Sequence, residues 1–200
     1  MNRGINTVKR PAIVEVSVFL GLVVAGVVVR LAFQEIPNFA PVAALALFAG
    51  YYFTSRWTAA ALPLLVMAIT DTVIGGYHPG MMAVVYSALA APVLFRGVLR
   101  RRLALGGPNG PAGRAAAMAT AGLVTCSLGA SVFFFVVTNF AHWAIYDMYE
   151  KSAAGLLHCA AAALPFFRYT LAGDLAFACV LFGGYALSMN LVRDPVHATE

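Results

Sequence analysis

Long apolar runs recur along the chain from Ile13 to Leu191, and too few charged residues separate them for the protein to cover itself in water. Of its 200 residues 62% are hydrophobic and 10% charged, with a mean hydropathy of +0.83. A water-soluble domain normally carries about a quarter charged residues on its solvated surface. Runs this long and this uniformly apolar suit membrane-spanning helices, whereas outer-membrane barrel strands show short alternating segments. The chain therefore reads as an all-α, polytopic integral membrane protein.

Six spans are expected, at Ile13–Phe33, Phe39–Phe53, Trp57–Ile74, Gly80–Leu99, Arg114–Val137 and Tyr169–Leu191, within a single transmembrane domain of residues 1–200. The second, at about 15 residues, is short for a crossing helix and is expected to gain a turn at either end. Ala153–Phe167 is apolar, Ala-rich and closed by Pro165, and reads as a separate re-entrant or interfacial helix. The basic opening "MNRGINTVKRP" resembles a signal-peptide n-region. The apolar run after it, about twenty residues, exceeds the usual h-region and lacks an A-x-A-like site, so the first span reads as retained.

Orientation follows from the basic residues. Arg3, Lys9, Arg10, Arg56, Arg96, Arg100, Arg101, Arg102, Arg114 and Arg193, ten of the thirteen Lys and Arg, fall on one side of the expected spans. Lys151 and Arg168 fall on the other, and Arg30 lies within span one. The positive-inside bias then puts both termini in the cytoplasm. The net charge of +5 is accounted for by topology, with "RGVLRRRL" set against anionic lipid headgroups, and implies no nucleic acid.

In this orientation "QEIPNF" is a tight hairpin on the outer side. Pro37 forces Ile36 out of the α region, Pro41 suits the first turn of span two, and Asn38 is placed to cap it. Other polar residues gather at the same side. Arg30, Asp71, Arg168 and Asp174 lie near the outer ends of spans one, three and six. Asn139, His142, Trp143 and Tyr146 recur at i, i+3, i+4 and i+7, one face of a helix. Ionisable residues in spans are costly and are functional candidates by default. Trp143, Tyr146 and Tyr149 could instead form an interfacial belt. Arg30 could snorkel to water or neutralise Asp71 or Asp174 as a buried pair. Concentration of both charge signs, amide, imidazole and indole on one side favours an outward cavity lined by these groups.

Motifs for chemistry are lacking. "GGPNGPAGR" (Gly106–Arg114) has no G-K-[ST] ending and reads as a flexible linker rather than a phosphate loop. The sequence has no G-x-S-x-G and no H-E-x-x-H, and Ser127 and Ser131 lack a His at suitable depth. Cys126, Cys159 and Cys179 lie in separate apolar segments and read as buried small residues, not a disulfide or zinc framework. The reading is a non-enzyme without metal or cofactor. Gly21 and Ala25, and again Gly122, Cys126 and Ala130, make small-xxx-small patterns that admit close helix approach, for internal packing or for a partner.

Six short spans, cytoplasmic ends, the "PNFAPVAALALFAGYYF" helix and an outward polar cavity resemble the substrate-capturing S components of energy-coupling factor (ECF) transporters. The chain is also similar to uncharacterised bacterial membrane proteins that share "PNF-P-ALALFAG", an "ITDTVIGG"-type third helix, "VTNFAHW" and "ALPFFRYTLAGDL". The resemblance implies a bacterial inner-membrane protein that binds a vitamin or similar small molecule from outside. It would associate with a membrane T subunit and two cytoplasmic ATPases, then topple to release its cargo. A small-xxx-small pattern on helix one contacts the T subunit in that family. Gly21 and Ala25 match it as G-x-x-x-A in place of the usual A-x-x-x-A. The substrate would meet Arg30, Asn38, Asp71, Asn139, His142, Trp143, Tyr146, Arg168 and Asp174. Two other classes remain open: a small structural subunit of a larger membrane complex, and an ion or proton pathway through Asp71, His142 and Asp174.

Overall fold

The structure, a computed structural model, describes residues 11–103 and 114–191. The residues of the Gly106–Arg114 linker other than Arg114, and the segments bearing Arg3, Lys9, Arg10 and Arg193, lie outside the described residues. The described residues form helices only: α1 (Ala12–Ala32), α2 (Val42–Tyr52), α3 (Arg56–Ile74), α4 (Pro79–Ala90), a 3₁₀ turn (Ala91–Phe95), α5 (Arg96–Arg102), α6 (Arg114–Ile145) and α7 (Ala153–Leu191). The segment Pro79–Arg102 runs as one rod, giving six rods among the described residues. Five are long and apolar enough to cross a membrane, so the protein is a multi-pass membrane protein.

Local chemistry sets several boundaries. Ser55 caps α3 by accepting from the Thr58 N–H at 3.2 Å. Gly75, at φ 107°, ends the same helix in a conformation that only glycine adopts freely, its N–H returning to the Asp71 carbonyl. Pro79 opens α4, where its missing N–H costs nothing.

The centre of the bundle is α2. It touches every other helix, and ten of its eleven residues are buried. A helix apolar all round is stable only when surrounded, and "VAALALFAGYY" is such a sequence. Eleven residues rise about 16 Å, roughly half the thickness of a hydrocarbon core. Arg96 and Arg100 hold its C-terminal end: Arg96 donates to the Thr54 carbonyl at 2.6 Å, and Arg100 to the carbonyls of Tyr51 and Phe53. Cations at a helix C-terminus meet its orphan carbonyls and the negative end of its dipole. Two arginines expected in lipid headgroups thus brace the fold.

Several sequence expectations change. Span two does not lengthen; it is shorter still. Asn38 is not its cap: the N-cap position is Pro41, and Asn38 sits at φ 59° in the descending loop, a left-handed turn that Asn tolerates. The expected re-entrant helix at 153–167 and span six are one helix, α7, which continues through Pro165 while packing along α6. Beyond that proline Phe135 packs on Phe167 at 4.6 Å and Ser131 meets Asp174, while before it Cys159 lies against the Asn139 carbonyl. These contacts outweigh the one backbone hydrogen bond that Pro165 removes. Helix α6 likewise runs on to Ile145. At about 48 and 58 Å the two exceed a bilayer core, so their hairpin tilts or projects beyond it. Of the cysteines, Cys126 and Cys159 are buried while Cys179 is exposed.

Gly21 and Ala25 lie exposed on α1, with nothing within 4 Å of a Cβ built at Gly21. The glycine that packs inward is Gly26, against Leu45 and Val66.

Candidate ligand-binding cavity

Because α2 is half-length, the other half of the bundle axis is left unfilled. The loop from Phe33 to Pro41 leads to the start of α2, and the space is floored by Asn38, Phe39 and Ala40 of that loop and by Val42 and Ala43 of the first turn of α2. The result is a cavity of about 560 Å³, the size range of small-molecule sites. Helix α4 contributes Met81, Val85 and Leu89; α6 contributes Phe134, Phe135, Thr138, Asn139, His142 and Tyr146; α7 contributes Phe166, Phe167, Thr170 and Asp174. Arg30 and Tyr77 enter from the end of α1 and from the α3–α4 loop. Burial, and then the Asp71 carboxylate, push Tyr77 up to about 12, so its phenol stays protonated at neutral pH.

Six of the nine residues expected at a site line this space: Arg30, Asn38, Asn139, His142, Tyr146 and Asp174. Asp71 stands behind it. Its carboxylate accepts from Arg30 Nη1 at 2.7 Å and from the Tyr86 hydroxyl at 2.8 Å, and Arg30 donates also to Thr70. Arg30 therefore neutralises Asp71 rather than snorkelling, and the pair ties α1, α3 and α4 together.

Trp143 and Arg168 lie elsewhere. At about 100° per residue the cavity-facing arc of α6 centres near His142, and Trp143 is about 100° round from it. Its indole instead donates to the Glu150 carbonyl at 2.9 Å and packs on Phe140. Lys151 closes the same hairpin, donating to the carbonyls of Trp143 and Tyr146 at the C-terminus of α6. Gly155 is required there, since a Cβ would come within 1.9 Å of the Glu150 carbonyl oxygen. Arg168 is exposed and lies over its neighbour Tyr169, 4.7 Å from the ring centroid.

Ser131, Thr138, Thr170 and Tyr86 were not anticipated. Ser131 lies 2.6 Å from Asp174 Oδ2, so a serine set aside as a nucleophile serves as a carboxyl partner. Thr170 is one turn before Asp174 and Thr138 one turn before His142, a spacing that could have flagged both.

A family model described as a family of unknown function (DUF6580) matches residues 11–195, which takes in every described helix. The chain belongs to DUF6580. No curated protein and no solved structure matches this DUF6580 protein. The family match thus covers the helices that build the cavity and names no occupant for it.

Proposed function

We propose that this DUF6580 protein is a membrane-embedded binding subunit that captures a small organic molecule from the non-cytoplasmic face, as the S component of an ECF-type importer does. One observation carries the reading: a cavity of small-molecule size, walled by phenylalanines, in which Arg30, Asn139, His142, Thr170 and Asp174 converge. Asn139 spends its amide N–H on the Phe135 carbonyl and keeps its oxygen for a ligand; Thr170 is 7% exposed, and its hydroxyl makes no hydrogen bond among the described residues. Beneath the cavity Phe48, Tyr52, Phe182 and Tyr185 pack edge to face, which favours a closed-bottomed pocket over a conducting path for ions or protons. The lysine–arginine bias supports an orientation with the cavity end outside the cytoplasm.

Native mass spectrometry of the gently purified protein is expected to show a retained small molecule, lost in Ala163→Trp, where an indole fills the cavity from α7. Retention undiminished in that variant, or none in either protein, counts against capture in this space.

The importer reading adds partners: a membrane T subunit and two cytoplasmic ATPases that supply the energy. The exposed Gly21 and Ala25 offer a flat strip on α1 for close helix approach. Gly21→Leu and Ala25→Leu are each expected to abolish co-purification with the T subunit while leaving ligand retention unchanged. Undisturbed co-purification in both variants would assign that strip to lipid and leave the alternative of a structural subunit in a different complex.

A further inference from the structure

The ionisable groups of the cavity are unevenly partnered. Of the ionisable residues that line it, Arg30 is already paired with Asp71 at 2.7 Å. His142 contacts the rings of Tyr146 and Tyr149 and makes no ion pair among the described residues. Asp174 is 3% exposed and has no cationic partner among the described residues. Its one hydrogen-bond partner there is Ser131, which lies 2.6 Å from Oδ2 and also 3.1 Å from the Ser127 carbonyl. A hydroxyl has a single proton, so the protein gives this carboxyl at most one donor. Oδ1 accepts nothing from the described residues, and it is not among the fully enclosed unsatisfied atoms, so it opens onto the cavity. The uncapped N-terminus of α2 adds a diffuse positive partial charge from the floor but donates no N–H to Asp174.

Buried charge is stable when a counter-charge meets it and satisfies its lone pairs. We infer that the ligand of this DUF6580 protein is an organic cation, a protonated or quaternised nitrogen on an apolar or aromatic body, whose positive centre sits on Asp174. Aromatic faces suit such a centre as well: Phe39, Phe135 and Phe167 line the same space, and ring quadrupoles attract cations. Arg30, held by Asp71 and Thr70 through one nitrogen, keeps its other N–H donors for an acceptor elsewhere on the ligand. The inference rests on the capture reading and specifies its substrate class.

Three indoles of similar size test it by equilibrium dialysis against the full-length protein: tryptamine, an ammonium; tryptophol, an alcohol; and indolepropionate, a carboxylate. Tryptamine is expected to bind about ten- to a hundredfold more tightly than tryptophol, the range of one charge-assisted contact, with indolepropionate weakest. Asp174→Asn keeps the shape and removes the charge, and is expected to bring tryptamine down to the tryptophol level. Should Asp174→Asn fail to fold, the order of the three probes on the unaltered protein decides alone. A preference for indolepropionate or tryptophol, or tryptamine binding indifferent to Asp174→Asn, overturns the cationic assignment. If the favoured probe is then still lost in Ala163→Trp, the capture reading stands without it. Absence of any binding sensitive to Ala163→Trp overturns both.

Discussion

Arg30→Met is expected to cost about 3–5 kcal/mol of stability, the usual result of stripping one partner from a buried ion pair. Asp71, 6% exposed, would be left with the Tyr86 hydroxyl as its only remaining side-chain partner among the described residues, and the tie from α1 to α3 would be lost. The double variant Arg30→Met with Asp71→Leu is expected to recover most of the loss, because neither charge is then stranded. Unfolding in mixed micelles, followed by near-ultraviolet circular dichroism, measures both. Equal destabilisation in the single and double variants would mean that the pair is not what holds α1. An Arg30→Met variant as stable as the unaltered protein would mean that Asp71 is hydrated rather than buried.

Gly26→Leu is the second large effect expected. A Cβ there would stand 2.7 Å from Leu45 and 2.9 Å from Val66, both buried side chains, so a leucine could fit only by displacing them. Overpacking of this kind costs about 1–3 kcal/mol or more. The contrast with Gly21 is sharp: five residues earlier on the same helix, a side chain meets nothing. Gly21→Leu is expected to leave the unfolding midpoint within a degree or two while Gly26→Leu lowers it by several. Identical midpoints for the two would show that α1 does not pack where the structure places it.

The contrast also shows what the sequence could and could not reveal. Membrane class and helix content follow from apolar run lengths, which need no tertiary information. The clustering of Arg30, Asn38, Asn139, His142, Tyr146 and Asp174 was legible because helical spacing and topology bring one end of each span together. Helical phase set the limit. Asn139, His142, Trp143 and Tyr146 share a face in sequence, but which edge of that arc meets the cavity depends on how α6 is rotated against α4 and α7. The same rotation turned Trp143 to the hairpin. Asp71 and Asp174 look alike in sequence, and only the positions of Arg30, Tyr86 and Ser131 separate a spent carboxylate from an open one. Pro165 misled because a helix breaker was weighed without the long α6 surface that carries the chain past it.

The short central helix has a consequence for how the protein is made. At eleven residues α2 is too short to cross a bilayer by itself, and in lipid both its ends would leave backbone groups without partners. It cannot enter the membrane as an independent segment during synthesis. It has to be drawn in with α1 and α3 on either side, and its C-terminal carbonyls wait for Arg96 and Arg100, which are translated more than forty residues later. The C-terminal end of α2 is therefore braced only after α1, α3 and α4 have been made.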